Sequence, residues 1–236
     1  MEISQRQTII LERITEEYIE SAKPVSSRLL EKKCHLGISP ATIRIEMQKL
    51  TKNGYLFQPH TSAGRIPTDR GYRFFVDSFA EKGKKEKINI SRAREILEQE
   101  GDNLFGRISQ LTKFLSKTSS AFALGGLIKE NFFSKEGWNQ VLKEPEFEDK
   151  ELLLDFTNFL DEFENQIENL KINSQAKVFI GRENPFKGGE AFSVVLAECR
   201  LPKKEKGIIS IVGPKRMIYS KNINLINSLT KLLEDF

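Results

Sequence analysis

The sequence predicts an α+β chain in two parts: a helical part closed by a basic hairpin, then a mixed helix-and-strand part. Three observations carry this. Residues 4–52 hold three helix-length segments, the first and third with serine caps, and a short turn-rich hairpin follows them. Residues 82–87 are all charged except Gly83, which marks a linker. Residues 176–212 hold three short apolar runs set between amphipathic helical stretches.

Ser4 is the expected N-cap of the first helix. Ile10, Ile14 and Tyr18 recur on one face at spacing four, and Lys23-Pro24 stops the helix. A second helix over 26–33 turns Leu29 and Leu30 inward, and Cys34-His35-Leu36-Gly37-Ile38 reads as a turn. Ser39-Pro40 opens a third helix, with the serine oxygen as cap and the proline where its missing N–H is harmless. Its buried stripe is Ile43, Met47 and Leu50, and Gly54 ends it. Tyr55-Leu56-Phe57 is a short strand, 59–64 is turn chemistry, and Arg65-Ile66 returns as a second strand. Thr68 or Asp69 then caps a helix carrying Tyr72, Phe75, Val76 and Phe79.

Beyond the linker, one long helix is expected over 91–116, with Leu97, Leu104, Ile108, Leu111 and Leu115 on one face. Residues 119–133 fit two short strands. A helix over 149–171 carries Leu152, Phe156, Phe159, Phe163, Ile167 and Leu170. Strands at 176–180, 192–198 and 208–212 follow, then a last helix over 222–234 with Ile226, Leu229 and Leu233. The predicted organisation is a domain at 1–80, a linker at 81–90 and a second domain at 91–236.

Composition removes several classes. The longest unbroken apolar-plus-glycine run, 121–128, is far too short to span a membrane. The first residues hold no apolar signal core, so a cytoplasmic protein is expected. Cys34 and Cys199 are far apart, and His35 and His60 are the two histidines, which leaves no disulfide framework and no metal-ligand spacing. With no nucleophile–base pair and no phosphate loop, neither an enzyme nor a cofactor is expected. The net charge of +4 hides an uneven distribution. Between residues 23 and 73, ten Lys/Arg face three Asp/Glu, a net of +7; between 144 and 168, ten acids face one lysine, a net of −9. The basic stretch is the footprint of a polyanion, the acidic one of a solvated helix face.

Three helices followed by a basic hairpin are the winged helix-turn-helix arrangement, in which one helix lies in a major groove and the hairpin touches backbone or minor groove. Ser39, Thr42, Arg44, Ile45 and Lys49 on the third helix, and His60, Thr61, Ser62 and Arg65 on the hairpin, are the candidate DNA-binding residues. Thr42 and Arg44 fit base-edge contact and Lys49 a phosphate, against the alternative of a plain solvated helix. Residues 60–65 form either a DNA-touching wing tip or a tight turn. Arg28 fits a phosphate, or an ion pair with Glu31 or Glu46. Tyr72, Phe74 and Phe75 read as core packing. Phe156, Phe159 and Phe163 read as core or as a dimer seam. Gly181, Glu183, Lys215, Arg216 and Tyr219 fit either an effector pocket or turn and ion-pair duty.

The run Ser39-Pro40-Ala41-Thr42-Ile43-Arg44, then Glu46-Met47, Gly54-Tyr55-Leu56, and the segment from Gln58-Pro59-His60-Thr61-Ser62-Ala63-Gly64-Arg65-Ile66-Pro67-Thr68-Asp69-Arg70 to Gly71-Tyr72-Arg73 resemble the signature of the HrcA family. Tyr18-Ile19 and Pro24-Val25-Ser26-Ser27-Arg28 also match. So do Pro145-Glu146-Phe147, Ile180-Gly181-Arg182-Glu183 and Gly213-Pro214-Lys215-Arg216-Met217 with Tyr219. The resemblance implies a repressor of heat-shock genes that binds an inverted-repeat operator in double-stranded DNA as a homodimer. It also implies a winged helix followed by a GAF-like domain, and a GroE-type chaperonin as partner. Two departures stand out. The chain is shorter than family members between its long helix and Pro145, so the GAF-like domain is trimmed and the resemblance does not by itself supply the dimer contacts. Ile45 replaces the family's asparagine, exchanging an adenine reader for a side chain that can only pack on a thymine methyl or backbone. Rival readings are a transcription factor gated by a small molecule in its GAF-like domain, and a protein-interaction module.

Overall fold

The computed structural model describes residues 3–34, 37–82, 88–99, 103–201 and 205–236. His35 and Leu36 of the expected turn, and residues 83–87 of the expected linker, lie outside that set. The chain divides into two compact units, 1–84 and 85–236. No described helix is long and apolar enough to cross a membrane.

In the first unit, α1 (Gln5–Ser21) starts at a capping box: Gln7 N–H donates to Ser4 Oγ at 3.3 Å, and Ser4 N–H donates to Gln7 Oε1 at 3.0 Å. α2 (Ser27–Cys34) and α3 (Pro40–Lys52) follow, the latter capped by Ser39 Oγ accepting from Thr42 N–H. Strands β1 (Leu56–Phe57) and β2 (Ile66–Pro67) pair antiparallel, with Leu56 opposite Pro67 and Phe57 opposite Ile66. α4 (Asp69–Lys82) is capped by Thr68, whose hydroxyl accepts from Gly71 N–H and donates to the Gly54 carbonyl. Ile10, Leu11, Ile14, Leu30, Ile43 and Leu50 form the core with Val25 and Leu56.

Two glycines set the hairpin. A β-carbon on Gly64 would lie 2.4 Å from the Val25 carbonyl carbon, and one on Gly71 would lie 2.3 Å from the Tyr55 oxygen. Both are close backbone approaches that only glycine allows. At the first, Val25 and Arg65 exchange backbone hydrogen bonds of 2.9 and 2.8 Å, which staples the hairpin to the segment entering α2.

The second unit is built on a five-stranded antiparallel sheet in the order β4-β3-β7-β6-β5. Its strands are β3 (Phe122–Leu127), β4 (Phe132–Glu136), β5 (Lys177–Ile180), β6 (Phe192–Arg200) and β7 (Lys206–Pro214). Around them lie α5 (Ser91–Glu98), α6 (Leu104–Ser119), α7 (Trp138–Val141), α8 (Lys150–Gln166) and α9 (Tyr219–Glu234). Period-two alternation splits each strand between two faces. Phe122, Leu124, Phe192, Val194 and Val212 pack against Phe156, Phe159 and Phe163 of α8. On the other face Gly125 approaches Thr112 of α6, and Ser193 Oγ bonds Tyr219 Oη of α9 at 2.8 Å.

Two expectations change, and a choice left open is decided. The single helix over 91–116 is two helices: Gln99 leaves α5 with an extended backbone, and the Asn103 side chain caps α6 by accepting from Gly106 N–H at 2.9 Å. The helix expected to reach residue 171 ends at Gln166 and tightens into a 3-10 turn, Ile167–Asn169. Phe156, Phe159 and Phe163 are fully buried against the sheet, so their face is core and not a seam.

Candidate nucleic-acid interface

α3 is fixed from below. Ile43, Met47 and Leu50 lock its inner face into the first unit's core. Glu46 is also buried, and its carboxylate accepts from Gln7 Nε2 at 2.9 Å and Lys49 Nζ at 3.1 Å. Burial works against its charge, but the hydrogen bonds from Lys49 and Gln7, with the nearby charges of Lys49 and Arg6, outweigh it and hold its carboxyl below the usual carboxylate range. This ties α3 to α1. It also means that Glu46 serves Gln7 and Lys49 rather than Arg28.

The polar side chains of α3 then fall into two sets. Ser39 and Thr42 share a 3.0 Å hydrogen bond at the cap. Lys49 is paired with Glu46. The Thr51 hydroxyl donates to the Met47 carbonyl and accepts from Arg65 Nε. Arg44, Gln48 and Lys52 are exposed, and among the described residues they have no hydrogen-bond or ion-pair partner. Ile45, 52% exposed, stands between the first two. Positions 41, 44, 45 and 48 lie on one helical face, opposite the buried stripe.

The hairpin is equally organised. Gln58 Nε2 donates to the carbonyls of Thr61 and Ala63, strapping the turn that carries exposed His60, Thr61 and Ser62. Arg65 turns its guanidinium inward to Thr51, and partial burial lowers its basicity. Arg70 stacks over the Tyr55 ring at 4.4 Å and donates to the Asn53 carbonyl, closing the end of α3. Between α3 and this turn lies a cleft of about 370 Å³, lined by Ser26, Arg44, Gln48, Gln58, Thr61 and Arg65 among others. The structure thus brings Arg44 together with Thr61, Ser62 and Arg65, and it commits Ser39, Thr42 and Lys49 to partners within the chain. Gln48 and Gln7 have no assigned role in the sequence reading, which weighs Glu46 only as a partner of Arg28 and includes Gln58 only within the motif run. The spacing of four from Arg44 was the available signal for Gln48.

In the second unit the motif residues serve the fold. Arg216 forks onto Glu146, at 2.7 and 3.0 Å, and also bonds Glu144. Burial opposes its charge, but the two carboxylates raise its pKa above the ordinary value. Tyr219 Oη donates to the Lys215 carbonyl, and the Glu183 carboxylate accepts from Ile180 N–H. Burial pushes the Cys199 thiol up to about 12, which keeps it unreactive at neutral pH.

Residues 82–223, more than half of the chain, match the family profile described as HrcA protein C terminal domain. The heat-inducible transcription repressor HrcA of Geobacter sulfurreducens is 26% identical, over 98% of this chain and 97% of its own length. That alignment runs to 334 positions for a chain of 236, so about a hundred positions of the relative have no counterpart here. The repressor of the same name from Alkaliphilus metalliredigens is 45% identical over 136 residues, 55% of this chain and 38% of that protein. A crystal structure of a hypothetical protein shares the fold, with a TM-score of 0.79 at 21% identity over 99% of both chains.

Proposed function

The chain belongs to the HrcA family, and on that premise we propose that it is a heat-inducible transcription repressor that binds an operator in double-stranded DNA as a homodimer. In this reading the first unit is a winged helix and the second a trimmed GAF-like domain. One observation carries the assignment: α3 exposes Arg44, Ile45 and Gln48 in a strip beside a strapped turn, while its other face is locked into the core. Such a helix is the right shape for a major groove. Arg44 forks onto a guanine edge, and the turn at 60–65 meets backbone or minor groove. Lys52 and Lys49 neutralise phosphates, which supplies affinity without sequence preference.

The dimer follows from the operator, since an inverted repeat needs two recognition helices related by a two-fold axis. With the α8 aromatics buried, its seam lies elsewhere on the chain. Repression is occupancy of the operator, and heat relieves it by destabilising the folded dimer. The polar motif residues of the second unit are joined to one another, which favours this reading over a small-molecule sensor.

The test is selection of duplexes from a random pool by the full chain, followed by binding at graded salt. An enriched inverted repeat and a steep fall of log affinity with log salt are expected. No enrichment, or a flat salt response, would refute the assignment. Arg44→Ala should lower affinity for the selected duplex by roughly 1–3 kcal/mol and for random duplex by much less. Equal losses on both would make Arg44 a phosphate anchor.

A further inference from the structure

We propose that Gln48 is a second base-reading residue of α3, recognising an adenine one helical turn along from the contact of Arg44. This rests on the DNA-binding reading above and assigns a specificity to the same surface.

Sequence-specific readout needs a side chain that is exposed, held by a rigid backbone, and free of partners inside the protein. On α3 the hydroxyls of Ser39, Thr42 and Thr51 and the ammonium of Lys49 have intramolecular partners. Lys52 sits at the helix's last residue, and its ammonium offers a point charge suited to phosphate. Arg44 and Gln48 remain, four residues apart, both exposed and both lining the cleft between α3 and the strapped turn.

The chemistry of the amide then sets the base. In the major groove adenine offers N7 as acceptor and the N6 amino group as donor. The Gln48 NH2 group can donate to N7 while its oxygen accepts from N6, a matched pair that no other base offers in the same geometry. The rise between residues 44 and 48 is about 6 Å, which is roughly two base-pair steps, so the two side chains reach different base pairs of one half-site. Ile45 lies between them and places a methyl-packing surface on the same strip.

The test uses the full chain and the duplex it selects from a random pool. Wild type, Gln48→Ala and Gln48→Glu are compared over all single-base variants of that duplex. Gln48 is exposed, and alanine is the stronger helix former, so the alanine variant folds. Its ratio of affinities, selected over random duplex, should fall about tenfold, with the preference lost at one adenine per half-site. Gln48→Glu should move that preference towards cytosine, whose N4 amino group donates to a carboxylate. If both variants reproduce the wild-type profile at every position, Gln48 is a solvated side chain, and the proposal fails while the DNA reading stands. If wild type itself prefers no sequence, the DNA reading fails and this assignment falls with it.

Discussion

Arg44 and Arg216 carry the same guanidinium, and the two units of the chain treat them in opposite ways. Arg44 stands exposed on α3, and among the described residues it has no partner. Arg216 is nine-tenths buried and held by two carboxylates. The contrast extends to their neighbours. The first unit satisfies its polar groups at the helix ends and leaves a strip of α3 open. In the second unit Tyr219 and Ser193 satisfy each other, and Asn184 donates to carbonyls around its loop. A polar side chain with internal partners stabilises the fold, whereas one held rigid and left open is available to another molecule. Substitutions that cross this division test it.

The largest effect is expected at Gly71. A β-carbon there would meet the Tyr55 carbonyl oxygen at 2.3 Å, and backbone on both sides cannot give way cheaply. Gly71→Ala should destabilise the first unit by roughly 2–4 kcal/mol. Amide exchange should accelerate in α1, α3 and α4 and hold in the sheet of the second unit. Uniform acceleration in both units would break the comparison, because it would make them one cooperative body.

Arg216→Ala probes the other side. It leaves Glu144 and Glu146 facing each other, a loss of about 2–3 kcal/mol, less than for a fully buried pair because both carboxylates keep some solvent. The melting temperature should fall by several degrees, while the preserved fraction binds the selected duplex as wild type does. A loss of sequence preference without loss of stability would make Arg216 part of a binding site.

The sequence made these two units readable to different depths. Caps and turns in the first unit are local chemistry: Ser4, Ser39 and Gly54 state their roles within a few residues, whereas the close approaches at Gly64 and Gly71 depend on Val25 and Tyr55, well removed along the chain. The strands of the second unit were readable as apolar runs, and their order in the sheet was not, because pairing joins residues as distant as Phe122 and Val212. The break between α5 and α6 was hidden because the apolar spacing continues across it, and a single capping asparagine outweighs that periodicity. The α8 stripe could serve a core or a seam equally, and only the sheet facing it decides. Glu46 was the least readable residue of the candidate site. A charged residue in a basic helix reads as solvated, and the partner that buries it comes from 39 residues away.

Glu46 therefore offers a finer test, on a residue of α3 that behaves like those of the second unit. Its carboxyl lies lower in the folded chain than in the unfolded one. The stability it contributes is present above the ordinary carboxylate range and is lost as pH falls through the folded value. Glu46→Gln should reduce stability by about 1 kcal/mol at neutral pH. It should also flatten the fall of stability on the acid side, read from denaturant midpoints over a pH series. An unchanged acid limb would show that the contacts with Gln7 and Lys49 do not favour the charged form.

The smallest expected effect, and the one that places the boundary most finely, concerns Lys49. Its ammonium is half exposed, on the candidate helix α3, yet it lies 3.1 Å from Glu46. A lysine that neutralises one phosphate changes the slope of log affinity against log salt by about 0.9. Lys52, with no partner among the described residues, should show that full change on conversion to alanine. Lys49 must leave Glu46 to reach a phosphate, and the pair is worth only a few tenths of a kcal/mol, so it can leave. The carboxylate stays behind, however, within a few ångströms of the same backbone, and offsets part of the charge that DNA meets. Lys49→Ala should accordingly change the slope by less than Lys52→Ala does, with both variants keeping the wild-type sequence preference. Equal slopes would show that Glu46 does not temper Lys49, and the division between residues that build the fold and residues that meet DNA would then follow exposure alone, not pairing.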